Sequence, residues 1–204
     1  MKVGIIDTGI CNSSSLKYGF SKLGISTGII SSGEDHGEYD RFVLPGVGAF
    51  DSAVQKLHER KLWDFILKKI VDEKKPILGI CLGMQLFAQS SEEGVLSGLG
   101  IIKGKVLKIS PINNFRVPNV GWNYVKPKQT KFVERYRDKV TLPRFYFVHS
   151  YHFDCANPED ISMQVILDQP YCAAVAYKNI WGVQFHPEKS HNYGLDFLKF
   201  WLEA

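Results

Sequence analysis

Pro76-Ile-Leu-Gly-Ile-Cys-Leu-Gly-Met-Gln-Leu-Phe87 is the stretch on which the reading of the whole chain turns. The apolar run Ile77, Leu78, Ile80 is short enough for a buried strand, and Leu82, Met84, Gln85, Leu86 and Ala88 beyond the cysteine suit a helix. Cys81 stands between Gly79 and Gly83. Two missing Cβ atoms let strand and helix approach closely, while the cysteine takes a strained bend with its sulfur projecting from the sheet edge. This is the thiol counterpart of the G-x-S-x-G nucleophile elbow, and a helix N-terminus beside the sulfur would favour thiolate. Taken alone, the pentapeptide fits a structural role equally well, because cysteine is among the most buried residue types.

A second stretch favours chemistry. In Trp181-Gly-Val-Gln-Phe-His-Pro-Glu-Lys-Ser190 a strand-like alternation ends in His186 and Glu188, two positions apart, so an extended backbone directs both side chains to one side. A thiol nucleophile needs a base, and a neutral imidazole needs a carboxylate to fix its tautomer and stabilise the imidazolium. Cys81, His186 and Glu188 can fill those three roles.

With these residues in view, the chain resembles the class I (triad-type) glutamine amidotransferases, and within them the glutaminase subunit of imidazole glycerol phosphate synthase. Four blocks carry the resemblance: Leu44-Pro-Gly-Val-Gly-Ala-Phe50, the elbow from Lys75, Val117-Pro-Asn-Val-Gly-Trp-Asn-Tyr124 with Tyr146-Phe-Val-His-Ser-Tyr151, and Gly182-Val-Gln-Phe-His-Pro-Glu-Lys-Ser190. The resemblance implies catalysis by Cys81, His186 and Glu188, with an oxyanion hole from Val47, Gly48 and the backbone N–H of Leu82. It also implies that the segment at Val47 and Gly48 reorients before its N–H meets the substrate. Glutamine would be bound by Gly48, Gln85 and the backbone around His149, Ser150 and Tyr151. A TIM-barrel cyclase subunit would form a heterodimer with the chain, receive the ammonia through a sealed path and use it in histidine biosynthesis. Asn12, Asn123 (in the Asn119 to Asn123 loop) and Lys189 would face that partner.

Several residues also have plainer readings. Pro45 to Gly48 reads equally as a simple turn. Gln85, one helical turn past the cysteine, is also an ordinary polar helix residue. His149 competes for the role of base, but no carboxylate follows it at short spacing. The family's first loop usually reads Asp-Tyr-Gly-x-Gly-Asn-x-x-Ser. Here Thr8 and Cys11 replace an aromatic residue and a glycine. That departure leaves open a paralogue feeding ammonia to another synthase, such as a sugar amidotransferase of surface polysaccharide biosynthesis. A cysteine hydrolase acting on γ-glutamyl conjugates and a catalytically inactive binding module are the alternatives from other classes.

Composition narrows the setting. At 204 residues, 45% hydrophobic and 23% charged, the chain suits one soluble domain spanning 1–204. A net charge of +4 gives no reason to expect nucleic acid, and the lysine groups at 126–139 and 68–75 read as solvated faces. The absence of any apolar run near 20 residues predicts no membrane span, and the opening segment predicts no secretory leader, hence the cytoplasm. Four cysteines without C-x-x-C spacing and six histidines without H-x-x-x-H predict a reducing compartment, no metal and no cofactor.

The order of elements predicts an α/β fold. Residues 3–6, 25–30 and 42–44 read as strands, the first as a strand buried on both faces. A helix with Leu16, Phe20 and Leu23 at i, i+4 and i+7 has cap choices at 12–15 and an end at Gly24. Asp51 is the expected cap of a helix burying Ala53, Val54 and Leu57, and Leu62, Phe65, Ile66 and Ile70 continue on another. From residue 101 onward short alternating runs at 105–109, 121–125, 145–148, 163–167, 173–177 and 180–185 read as strands, several antiparallel. A last helix at 193–202 would pack back on the sheet. The expected architecture is a mixed, largely parallel, flavodoxin-like sheet flanked by helices, with extra antiparallel strands in the second half.

Overall fold

The computed structural model describes residues 1–9, 13–35, 37–112, 115–136 and 142–204, without the side chains of 130–132. In chain order its elements are β1 (Lys2–Ile6), α1 (Ser13–Lys22), β2 (Ser26–Ile30), β3 (Arg41–Gly46), α2 (Phe50–Glu59), α3 (Leu62–Leu67), β4 (Ile77–Cys81), α4 (Leu82–Gln85), β5 (Ser90–Ser91) and β6 (Gly104–Lys108). There follow β7 (Asn119–Pro127), α5 (Thr130–Tyr136), β8 (Arg144–His149), β9 (Tyr151–Cys155), β10 (Ile161–Ile166), β11 (Pro170–Tyr177), β12 (Ile180–Val183) and α6 (His191–Glu203). A nine-stranded sheet has the order β2-β1-β3-β4-β12-β11-β10-β7-β8. The contacts from β2 to β12 are parallel, and those from β12 to β8 are antiparallel. The expected α/β class, with a parallel first half and antiparallel strands in the second, is the observed one.

Alternation along each central strand feeds two cores, one on either face. Val3, Ile5, Val43, Leu78 and Ile80 join the core with Phe20, Leu198 and Trp201 of α1 and α6. Ile6, Phe42, Leu44 and Ile77 join the one with Val54, Leu57 and Ile66 of α2 and α3. Both faces are covered, so these strands read as continuous apolar runs.

Three local expectations are corrected. Asp51 does not cap its own helix: its carboxylate accepts the backbone N–H groups of Val95 and Leu96, while Glu93 accepts that of Phe50 at 2.9 Å. The acid at the helix start therefore anchors a remote loop, which returns another acid to the helix. The helix after Cys81 is a single turn, Leu82–Gln85, rather than a run to Ala88. The carbonyls of Leu86, Phe87 and Ala88 are taken by the N–H groups of Leu99, Ile102 and Gly100, which ends the helix. A second sheet, β5-β6-β9, includes a strand at 151–155 that alternation did not single out.

Candidate active site

Strands β3, β4 and β12 are neighbours and parallel, so their carboxyl ends open on one edge, where open α/β sheets bind ligands. Gly46 lies opposite Cys81, and Val183 opposite Ile80. Three segments distant in sequence thereby end side by side: the Pro45 to Gly48 turn, the cysteine, and the approach to His186.

Cys81 has φ 55° and ψ −113°, a left-handed conformation costly for any residue with a Cβ. Packing around it explains the strain. A Cβ on Gly83 would collide with the Leu44 carbonyl. On Gly79 it would stand 2.6 Å from the Phe87 ring, and on Gly46 2.9 Å from the Gly83 nitrogen. Three glycines thus let the turn press against β3 and β4. The single-turn α4 is shorter than the helix whose dipole was expected beside the sulfur, so the groups touching the sulfur matter as well.

Those groups are specific. The Cys81 Sγ lies 3.9 Å from the Val148 carbonyl and 3.6 Å from Gln184 Nε2. His186 Nδ1–H donates to Glu188 Oε1 at 2.8 Å, and both side chains are buried. The two meet through a turn, not along an extended strand: His186 is extended (φ −101°, ψ 95°), and Pro187–Lys189 then form a 3-10 turn. Burial works against a charged His186 ring, but its hydrogen bonds to Cys81 and Glu188, with the charges of both, outweigh burial and raise its pKa to about 9. Its Nε2 otherwise has no hydrogen-bond partner among the described residues. That atom is the one left available to a thiol proton.

The loop carrying this pair is held from three sides. Ser190, fully buried, donates its hydroxyl to the His186 carbonyl at 2.6 Å and accepts the Tyr146 N–H at 3.0 Å. His186 N–H donates to the Tyr146 carbonyl. Phe185 stacks on Phe145 at 3.9 Å, and Phe197 of α6 meets both rings edge-on. Gly194 is required because a Cβ there would strike the Pro187 carbonyl.

A cleft of about 340 Å³ opens over the sulfur, lined by Val47, Gly48, Cys81, Leu82, Gln85, Glu93, Pro118, Val148, His149, Ser150, Tyr151 and His186. Every residue expected to act in catalysis, in the oxyanion hole or on substrate lies there except Glu188, which sits behind His186. A larger polar hollow of about 970 Å³ lies at the amino ends of β1 and β2, lined chiefly by lysines and acids among the described residues.

His149 is no rival base. Its Nδ1–H donates to the Tyr151 carbonyl at 2.8 Å, and its Nε2 accepts Asn119 Nδ2–H at 3.0 Å, leaving neither nitrogen for a thiol proton. Burial pushes its pKa down to about 4 against the opposing Tyr151 bond, helped by the nearby His152 and His186. Gln85 spends its Nε2 inside the protein, on the Tyr151 carbonyl and on Gln184 Oε1.

Of the partner-facing expectations, Asn12 lies outside the described residues, as does Cys11. Asn119 to Asn123 is part of strand β7, not a loop, and Asn123 donates inward to Asn119 at 3.0 Å. The Lys189 ammonium stands over the Tyr146 ring. Thr8 is buried, its hydroxyl unpaired among the described residues. Sequence reading passed over Gln184, Ser190, Glu93 and the His149 partnership of Asn119. Gln184 had left a signal, a lone amide inside the apolar run Trp181 to Phe185.

Residues 4–201 match the glutamine amidotransferase class-I family. The chain is similar to imidazole glycerol phosphate synthase subunit HisH 2 of Methanococcus maripaludis, 43% identical over 97% of this chain and 96% of that one. It is likewise similar to the subunit HisH of Sulfurimonas denitrificans, 41% identical over 97% and 95%. Among solved structures, a glutamine amidotransferase from Thermotoga maritima superposes with TM-score 0.63 at 19% identity, over 100% of this chain and 81% of that one. PurLQS from the same organism does so with TM-score 0.73 at 17% identity, over 99% and 97%.

Proposed function

Because this chain belongs to the class-I glutamine amidotransferase family, we propose that it is the glutaminase subunit of an imidazole glycerol phosphate synthase, supplying ammonia for histidine biosynthesis. The observation that carries the reading is the convergence of Cys81 and the hydrogen-bonded His186–Glu188 pair at the ends of adjacent parallel strands, in a chain aligned almost end to end with such subunits.

In the reaction, the Cys81 thiol gives its proton to His186 Nε2 and the sulfur attacks the side-chain amide carbon of glutamine. The oxyanion is met by backbone N–H groups at Val47 or Gly48 and at Leu82, each such donor contributing about 2.7–4 kcal/mol. His186, whose raised pKa keeps it protonated at neutral pH, protonates the leaving nitrogen, so ammonia departs and a glutamyl thioester remains. The neutral ring then takes a proton from water, hydroxide adds to the thioester, and glutamate leaves as the thiolate reforms. Glu188 stabilises the imidazolium and fixes the ring.

The acceptor of ammonia is a TIM-barrel cyclase forming a heterodimer with this chain in the cytoplasm. Among the described residues no helix is long and apolar enough to cross a membrane. An outward ladder on β7 and β8 supports a docking face beside the cleft: Val120 faces Val148, Trp122 faces Tyr146 and Tyr124 faces Arg144. Val120 and Tyr124 on that ladder are more than half exposed.

Glutamate release by the purified chain, alone and with the cyclase of the same organism, tests the reading. Little turnover alone and a strong rise with the cyclase supports it. Turnover indifferent to the cyclase, or equal cleavage of γ-glutamyl peptides, overturns it.

A further inference from the structure

The triad leaves two contacts on the nucleophile unused, the Val148 carbonyl and the Gln184 amide, and only the amide can donate to the sulfur. Gln184 is fully buried at the end of β12, and its Nε2 lies 3.6 Å from Cys81 Sγ. The two ends of a carboxamide are not interchangeable here. The Tyr151 carbonyl can only accept, so the Gln85 amide must turn its nitrogen toward it, at 3.1 Å. The same nitrogen then meets Gln184 at 3.0 Å and fixes that contact as Oε1. Gln184 is left with its N–H group aimed at the sulfur.

Register holds the arrangement from the backbone side. Val183 pairs with Ile80, so Gln184 falls beside Cys81, and its own N–H donates to the Ala173 carbonyl at 2.9 Å. A donor held in this way is unchanged when the sulfur ionises, and it interacts more strongly with thiolate than with thiol.

From this geometry we infer that Gln184 is a fourth catalytic residue, donating a hydrogen bond to the Cys81 thiolate, with Gln85 as the positioning residue that fixes its orientation. The inference rests on Cys81 being the nucleophile. In the reaction, Gln184 stabilises the sulfur anion before attack and again when the thioester collapses, and His186 moves the proton in both steps.

The experiment is iodoacetamide alkylation of the whole chain across pH, with the peptides containing Cys81 and Cys155 quantified by mass spectrometry. Cys155 is half-buried in β9 and serves as the internal reference. Gln184→Met removes the donor at similar volume. Gln184→Glu keeps the acceptor for Gln85 and replaces the N–H by oxygen. The other titratable groups around the cleft, namely His149, His186, Glu93, Tyr151 and, behind His186, Glu188, are unaltered in both.

In each variant that folds, Cys81 should alkylate about tenfold more slowly at pH 7, and the midpoint of its pH profile should move upward, more in Gln184→Glu. Cys155 should not change. A third variant, Gln85→Met, leaves Gln184 free to turn and should give a smaller change in the same direction. Wild-type Cys81 that exceeds Cys155 in reactivity, with a rate and midpoint surviving both Gln184 substitutions, overturns the role of Gln184 alone. Wild-type Cys81 no more reactive than Cys155 overturns the nucleophile reading, and the role of Gln184 with it.

Discussion

Between pH 7.5 and pH 5 the folded protein should lose about 2 kcal/mol of stability through His149. Its ring is 6% exposed and its pKa is pushed from 6.5 to about 4, chiefly by burial. In the unfolded chain the ring is solvated and takes its proton near pH 6.5. Within the window from 6.5 down to 4 the unfolded state therefore binds the extra proton and the folded state does not. This contribution is complete above pH 6.5 and disappears as the pH falls toward 4. At pH 5 the stability lost amounts to about 2 kcal/mol, rising toward roughly 3 kcal/mol at pH 4. The assay is urea unfolding at pH 7.5 and pH 5 of the wild type and of His149→Gln, which offers a donor and an acceptor at similar reach but does not titrate. His186 works in the opposite sense: its folded pKa of about 9 gives stability present below 6.5 and lost as the pH rises through 9. It is common to both proteins and cancels in the comparison. The wild type should lose about 2 kcal/mol more than His149→Gln. Equal losses, within about 0.5 kcal/mol, would refute the claim that burial keeps this ring neutral against the opposing Tyr151 bond.

Glu188→Gln removes the charged acceptor of His186 Nδ1–H and should lower glutaminase kcat about tenfold to a hundredfold, with the basic limb of the pH-rate profile moving to lower pH. Ser190→Ala deletes the hydroxyl that ties the His186 carbonyl to the Tyr146 N–H; about 1–3 kcal/mol should be lost in urea unfolding, with a parallel fall in turnover. Gly83→Ala drives a methyl group into the Leu44 carbonyl and should destabilise by about 1–3 kcal/mol or more by thermal unfolding. Gly19→Ala in the interior of α1 meets only a Leu198 methyl at 3.4 Å and should be neutral or gain up to about 1 kcal/mol. Cys81→Ala should abolish glutamine-dependent synthesis by the complex, and exogenous ammonia should restore it.

Much of the fold was legible because the signals were local. Apolar runs covered on both faces announced β1, β3 and β4, and Gly24, with φ 73°, ends α1 where the helical spacing stops. The elbow was legible because Gly79 and Gly83 are written next to the cysteine they serve. What escaped depended on partners far away in sequence. Asp51 looks like a cap until the loop at Val95 and Leu96 is folded against it. The helix after Cys81 looks longer until residues 99–102 take its carbonyls.

The kinds of group at the cleft and their order along the chain were determined by sequence: a bent cysteine between glycines, and a histidine two residues before a glutamate. Which of them meet, and in what state of charge, was decided only by tertiary structure. Strand order puts β12 beside β4 and carries His186 and Gln184 to the sulfur across about a hundred residues, while β8 and β9 bury His149 until its ring stays neutral. The reason is that propensity and periodicity act over a few residues. Hydrogen-bond direction and proton affinity depend on whatever stands within a few ångströms, and that is set by the pairing of distant strands.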